Sequence, residues 1–236
     1  SADADGSDRS KLAPEIENLL IAKMQNAPNL GERITYYRAF VNLANTDKAR
    51  QTLKDILSGK FKIQNLELKT KDKFDIITKL IILGDKDALN LLVELEKTAT
   101  DDAAKRYAYA ARAGIPTAEN KAKFWNDFVN NAQISESWIE SAFVVFNSPK
   151  HAELTLPYLE KGLAELPALK RNRKIFFVNG WLSAFIGGQK SEEALKIVNK
   201  FLADNPNLDR DLRLKILENV NGLERAVKIR EKYGNK

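Results

Sequence analysis

The sequence predicts an all-α fold built from stacked antiparallel helix pairs. Apolar residues recur at helical spacing almost from end to end. Capping residues and stop glycines punctuate that rhythm at intervals of one short helix. Strand-type runs joined by hairpin dipeptides are almost missing.

The opening Ser1-Ala2-Asp3-Ala4-Asp5-Gly6-Ser7-Asp8 has neither an initiator methionine nor an apolar core. Residues 1–9 therefore read as a disordered lead-in or a cloning scar, 10–236 as a single helical domain, and the chain as a fragment of a larger protein. Leu12, Ile16, Leu19, Leu20 and Met24 sketch a first helix, with Pro14 tolerated in its first turn. Asn29 and Glu32 have capping-box spacing ahead of Ile34, Tyr37, Phe40 and Val41. Thr46 caps a helix through Leu53 and Ile56 that stops at Gly59. Lys60 to Lys69 reads as an extended linker, because its loosely alternating Phe61, Ile63, Leu66 and Leu68 have no partner strand.

Thr70 opens the next helix, closed at Gly84, and another runs from Asp87 to about Lys97. Thr100 opens the alanine-rich segment Ala103 to Ala113, which Gly114 and Pro116 stop before Thr117 restarts. Ser135 opens a helix ended by Pro149. Helices over about His151–Leu166, Arg171–Ile186, Ser191–Ala203, Asp209–Val220 and Leu223–Tyr233 complete the series. Ala49 and Ala88, and again Ala152 and Ala194, lie about forty residues apart before Leu-rich or Val-rich faces, the period of two-helix repeats. The longer stretch from Ala88 to Ala152 breaks the period, so the expectation is a curved HEAT/armadillo-like α-solenoid with irregular members.

Composition narrows the chemistry. With 44% hydrophobic and 30% charged residues, the 236-residue chain can bury a core. The net charge is +6, but Lys and Arg alternate with Asp and Glu, which reads as solvated surface and not as a nucleic-acid stripe. No cysteine is present, which excludes disulfides and thiol catalysis. No run reaches the roughly 18–20 apolar residues of a membrane-spanning helix. The one histidine, His151 beside Glu153, is a poor zinc site and reads as a solvated or capping side chain. No P-loop, Rossmann glycine pattern or nucleophile elbow occurs, and Gly187-Gly188 reads as a helix stop and turn. Asp101-Asp102 and Glu192-Glu193 fall at helix starts, where carboxylates are favoured. Trp125, Trp138 and Trp181 read as core, with an aromatic peptide platform as the other possibility.

One charge group breaks the local rule. Lys170, Arg171, Arg173 and Lys174 gather where a helix is expected to begin, and cations are disfavoured there. They are the candidate contacts for an acidic partner or a peptide carboxylate.

The segment Phe176-Phe177-Val178-Asn179-Gly180-Trp181-Leu182 through Phe185, Ser191-Glu192-Glu193-Ala194-Leu195, Phe201-Leu202 and Pro206-Asn207-Leu208 carries a resemblance. So do Leu212-Arg213-Leu214-Lys215-Ile216-Leu217-Glu218, Leu223-Glu224-Arg225-Ala226, and, early on, Pro28-Asn29-Leu30 with Tyr36-Tyr37-Arg38-Ala39-Phe40. Together these residues resemble the C-terminal helical domain of aminopeptidase N-type zinc peptidases of bacteria. The resemblance implies a curved helical stack that covers a separate catalytic domain and limits which peptides enter. Zinc and its His-Glu-x-x-His motif would belong to that missing domain, so no catalytic, cofactor or metal residue carries over to this chain. The expected partners are the parent's catalytic domain and a peptide substrate, in a compartment the sequence leaves open. The alternative is a stand-alone helical-repeat protein that binds a protein or an acidic ligand on its concave face.

Overall fold

The computed structural model describes residues 6–233, with side chains from Leu12 onward. Residues 1–5 of the expected lead-in lie outside the described residues, and the first helix starts at Gly6. The helices are α1 (Gly6–Asn26), α2 (Leu30–Leu43), α3 (Asp47–Leu57), α4 (Thr70–Ile82), α5 (Ala88–Thr98), α6 (Asp102–Ala113) and α7 (Ala118–Asn130). Then follow α8 (Glu136–Phe146), a single 3-10 turn over Pro149–His151, α9 (Ala152–Ala164), α10 (Leu166–Asn172), α11 (Ile175–Gly187), α12 (Glu192–Asp204) and α13 (Arg210–Tyr233). No strand occurs among the described residues, and Lys60–Lys69 is irregular as expected. The chain divides into two compact units between Ala111 and Arg112.

In the first unit α2 packs on α4, α1 packs on α2, and α3 and α5 pack on α4. The caps follow the sequence: Asn29 Oδ1 accepts from Glu32 N at 3.0 Å, and Thr46 Oγ1 accepts from Ala49 N at 3.1 Å. Gly59 and Gly84 end α3 and α4 at positive φ, where a side chain would be strained. The core face of α1 differs from the expected one. Glu17, Leu20, Met24 and Ala27 are buried, whereas Leu12, Ile16 and Leu19 are exposed and Pro14 lies inside the helix. Glu17 explains the rotation: its carboxylate accepts from Asn45 N at 2.7 Å and Thr46 N at 3.1 Å, satisfying the backbone where α3 begins. Arg33 does the complementary work. Its Nε donates to Ala27 O at 2.8 Å and its Nη1 to Gln64 O at 3.1 Å, tying the end of α1 and the linker to α2.

In the second unit α11 lies between α8 and α13, and α9 lies against α7 and α12. The two rows touch through α7 with α8, α9 with α11, and α12 with α13, the stacked helix pairs of an α-solenoid. Trp181 is buried at the centre, with its ring centroid 4.3 Å from Phe185, 5.7 Å from Phe143 and 6.0 Å from both Trp125 and Phe177. Its Nε1 donates to Gly162 O at 2.9 Å. The Phe185 ring beside it needs a glycine at 162, because a Cβ there would stand 2.9 Å from Phe185 Cδ1. Gly187-Gly188 does end α11, but the requirement at Gly188 is steric: φ is −73° and a Cβ would lie 2.3 Å from Asn147 O.

Two expected boundaries are corrected. The two final helices are one, α13, because Leu212, Ile216, Val220, Leu223 and Val227 keep a single buried stripe across Gly222. That packing outweighs the roughly 1 kcal/mol by which an interior glycine disfavours a helix relative to alanine. The expected helices over His151–Leu166 and Arg171–Ile186 are instead α9, α10 and α11. Pro167 brings no N–H with which to continue α9, so the chain restarts as the short α10, and Arg173 then turns extended before α11.

Lys121 is the least expected core residue. It shares the buried face of α7 with Phe124 and Phe128. Its Nζ donates to Ala113 O at 2.7 Å and Phe146 O at 2.9 Å, the last carbonyls of α6 and α8. It also lies 4.9 Å from the Phe146 ring centroid. Burial pulls its pKa down to about 8.

Two predictions follow from this packing. Gly162→Ala is expected to destabilise the chain by about 1–3 kcal/mol through overpacking. Gly187→Ala, with open space around its Cβ, is expected to leave the melting temperature unchanged or raise it, and a thermal melt of both variants checks this. Lys121→Met is expected to cost about 1–3 kcal/mol by leaving two buried carbonyls without a donor. The folded pKa of Lys121 lies below its unfolded value, so the unfolded chain binds the extra proton between about pH 8 and 10.5. Wild-type stability relative to the variant therefore rises across that window, as denaturant titrations at several pH values would record.

Candidate functional site

The break between α9 and α11 borders a concavity in the second unit. A cleft of about 700 Å³ is lined by Pro167, Lys170 and Arg171 from α10, Asp204 to Asp209 from the α12–α13 connection, and Leu212. A smaller recess shares Pro167, Asp204 and Asn205 and continues towards Glu160 and Lys200.

Local chemistry fixes each wall. Asn205 closes α12 by donating from Nδ2 to Phe201 O at 2.8 Å. Arg213 reaches back from α13, and its Nη2 donates to Leu202 O at 3.1 Å and Asn205 O at 2.7 Å. Asp209 caps α13, its Oδ1 accepting from Leu212 N at 3.1 Å. The same Oδ1 accepts from Lys170 Nζ, and that ammonium, with the Leu212 amide, holds the Asp209 carboxyl below the usual carboxylate range. Lys170 also approaches Asp211 at 3.8 Å.

The four cations singled out in the sequence have different fates. Lys170 and Arg171 lie in the last turn of α10, where the helix dipole favours them, and both line the cleft. The expectation that the group opens a helix is thereby corrected, because α10 ends at Asn172 and α11 starts only at Ile175. Arg173 pairs with Glu136 at the start of α8 at 3.2 Å and lies 5.4 Å from the Phe177 ring, away from the cleft. Lys174 is the exposed residue before α11 and caps nothing with its side chain. Arg171 and Lys174 have no ion pair among the described residues. The cleft therefore offers one engaged ammonium and one available guanidinium, facing the carboxylates of Asp204 and Asp209. Sequence reasoning missed the acidic wall, because Lys170 and Asp209 are 39 positions apart and no local pattern links them.

The remaining candidates are structural. Trp181 is core, while Trp125 and Trp138 are half-buried, Trp125 against Tyr158 and Phe185. His151 is half-buried before α9, with Nδ1 3.6 Å from Glu153 Oε1. No group of three or more His, Asp or Glu side chains that could hold a metal occurs among the described residues, and one imidazole beside one carboxylate does not fit a zinc ion. No helix among the described residues is long and apolar enough to cross a membrane.

Comparison with curated proteins finds no match. The profile of the ERAP1-like C-terminal domain family matches residues 74–225, from α4 into α13 and through the whole of the cleft. This is a domain family of aminopeptidases, in accord with the resemblance carried by the Phe176–Phe185 segment and the Leu212–Ala226 stretch. The chain belongs to the ERAP1-like C-terminal domain family and corresponds to the C-terminal domain of an aminopeptidase N-type enzyme.

Proposed function

We propose that this chain is the substrate-gating and scaffold domain of a zinc aminopeptidase that removes N-terminal residues from peptides, and that it cleaves no bond itself. Zinc and the reacting groups belong, in this reading, to the parent's catalytic domain, with which the helical stack associates. The observation that carries the reading is the family match over a region that includes a cleft of about 700 Å³ on whose wall Arg171 has no carboxylate partner among the described residues. An exposed guanidinium on the wall of a groove attracts acidic side chains or a terminal carboxylate of a long peptide, and a small amide never reaches it.

Arg171→Gln in the parent enzyme tests this. Exposed ion pairs contribute about 0.2–1 kcal/mol, so the apparent KM for long peptides is expected to rise about two- to fivefold at low salt. The effect shrinks at high salt, and cleavage of a small amino-acid amide stays unchanged. Lys170→Gln is expected to do less to peptide binding and more to stability, because Lys170 already serves Asp209. Equal effects of Arg171→Gln on both substrates, or none on either, would reject the gating role.

A further inference from the structure

The linker between α3 and α4 carries the alternating Phe61, Ile63, Leu66 and Leu68 for which the sequence offers no partner strand. No strand among the described residues pairs with it in the fold either. These four side chains instead line a cleft of about 590 Å³ in the first unit, together with Ile56 and Leu57 from the end of α3.

The linker is held in place by named bonds. Phe61 N donates to Asp55 O at 3.0 Å, which ties it back to α3. Leu66 N donates to Ile63 O at 3.0 Å and closes a turn in which Asn65 is left-handed, a conformation that asparagine accepts better than most residues. Arg33 Nη1 fixes the same turn by donating to Gln64 O at 3.1 Å. Leu66 to Lys69 then run without turn or bend into α4. Burial alternates along this run, with Leu66 and Leu68 half-buried and Glu67 and Lys69 exposed, which is the side-chain period of a β-strand. Residues two apart in a strand direct their N–H and C=O groups to one edge. On the edge of Leu66 and Leu68, the Leu68 N–H and both carbonyls have no hydrogen bond among the described residues. An unpaired edge of this kind is a template for another strand.

We infer that this cleft and edge together bind an extended polypeptide segment of a partner, with an apolar side chain at every second position. Its backbone pairs with the run from Leu66 to Lys69, and its inward side chains enter the cleft over Leu57 and Phe61. Lys62, Lys73 and Glu67 border the cleft with both signs of charge, so backbone pairing and shape select the partner and net charge does not. A second copy of this chain is a poorer occupant, because its own Leu66 and Leu68 already line its own cleft. A lipid chain would use the apolar walls alone and leave the backbone edge unused. The whole cleft precedes the family match, which begins at Phe74, so the inference does not rest on the gating role and either can fail alone.

The test is fluorescence anisotropy with the full chain and a short labelled peptide of alternating valine and threonine. Two comparison peptides keep every side chain but carry N-methyl groups, one on all valine nitrogens and the other on all threonine nitrogens. Only a paired strand distinguishes its two edges. One methylated peptide is therefore expected to bind with Kd about tenfold higher, and the other as the parent peptide does. Leu68→Pro removes the edge N–H and keeps an apolar side chain, and is expected to raise Kd by a similar factor with an unchanged circular-dichroism melt. If that variant melts early, the methylated peptides decide alone. Leu89→Ser, exposed on α5, is expected to bind as wild type. Equal effects of the two methylations, or an unchanged Kd in folded Leu68→Pro, would overturn the inference. Absence of saturable peptide binding overturns it too, and Phe61-dependent uptake of a lauryl detergent, or Phe61-dependent self-association in sedimentation, would then name the occupant.

Discussion

A fold made of many short helices is governed by what happens at helix ends. Each helix leaves its first N–H and last C=O groups without partners in its own ladder, and stacking buries many of those ends. A buried backbone group without a partner is destabilising by an amount comparable to a whole hydrogen bond. This chain meets the constraint with long polar side chains reaching between elements. Glu17 receives the amides that start α3, Arg33 serves the carbonyl just past α1, and Lys121 serves the last carbonyls of α6 and α8. Arg213 does the same for α12. A charged residue in such a position ties two or three elements together and fixes where they meet.

Close packing completes the positioning. The Phe185 ring can rest against α9 only because Gly162 has no side chain, and Gly188 lets α11 end against the backbone of Asn147. These approaches set the row of α8, α11 and α13, and the row sets the cleft. Pro167 contributes by interrupting the chain between α9 and α11, which turns Lys170 and Arg171 out into the concavity.

Ion pairing then sorts the surface. Around α10 and the start of α13, Lys170, Arg173, Arg213 and Lys215 are held by carboxylates or backbone carbonyls. Their neighbours Arg171, Lys174 and Arg210 have no ion pair among the described residues. Net charge alone would never have singled them out, because +6 spread over 236 residues describes solubility more than recognition.

Helix identity, most caps and the linker around Lys60–Lys69 were legible in the sequence, because apolar spacing, Thr46, Thr117, Ser191 and the glycine stops act through local geometry. The continuity of α13 was missed, since the sequence reading ended one helix at Val220 and began another at Leu223, although the buried 212–216–220–223–227 stripe runs unbroken. The true face of α1 was missed as well, because Glu17 counts as polar until its partners at Asn45 and Thr46 are known. Lys121 hid for the same reason on the stripe shared with Phe124 and Phe128. Of the four cations at 170–174, the sequence could mark the group, but only the fold decided which were engaged. That decision rests on contacts such as Lys170 with Asp209 and Arg173 with Glu136. Local patterns determine where a helix starts and stops. Which charge meets which depends on how the helices stack, and that is a property of the tertiary structure alone.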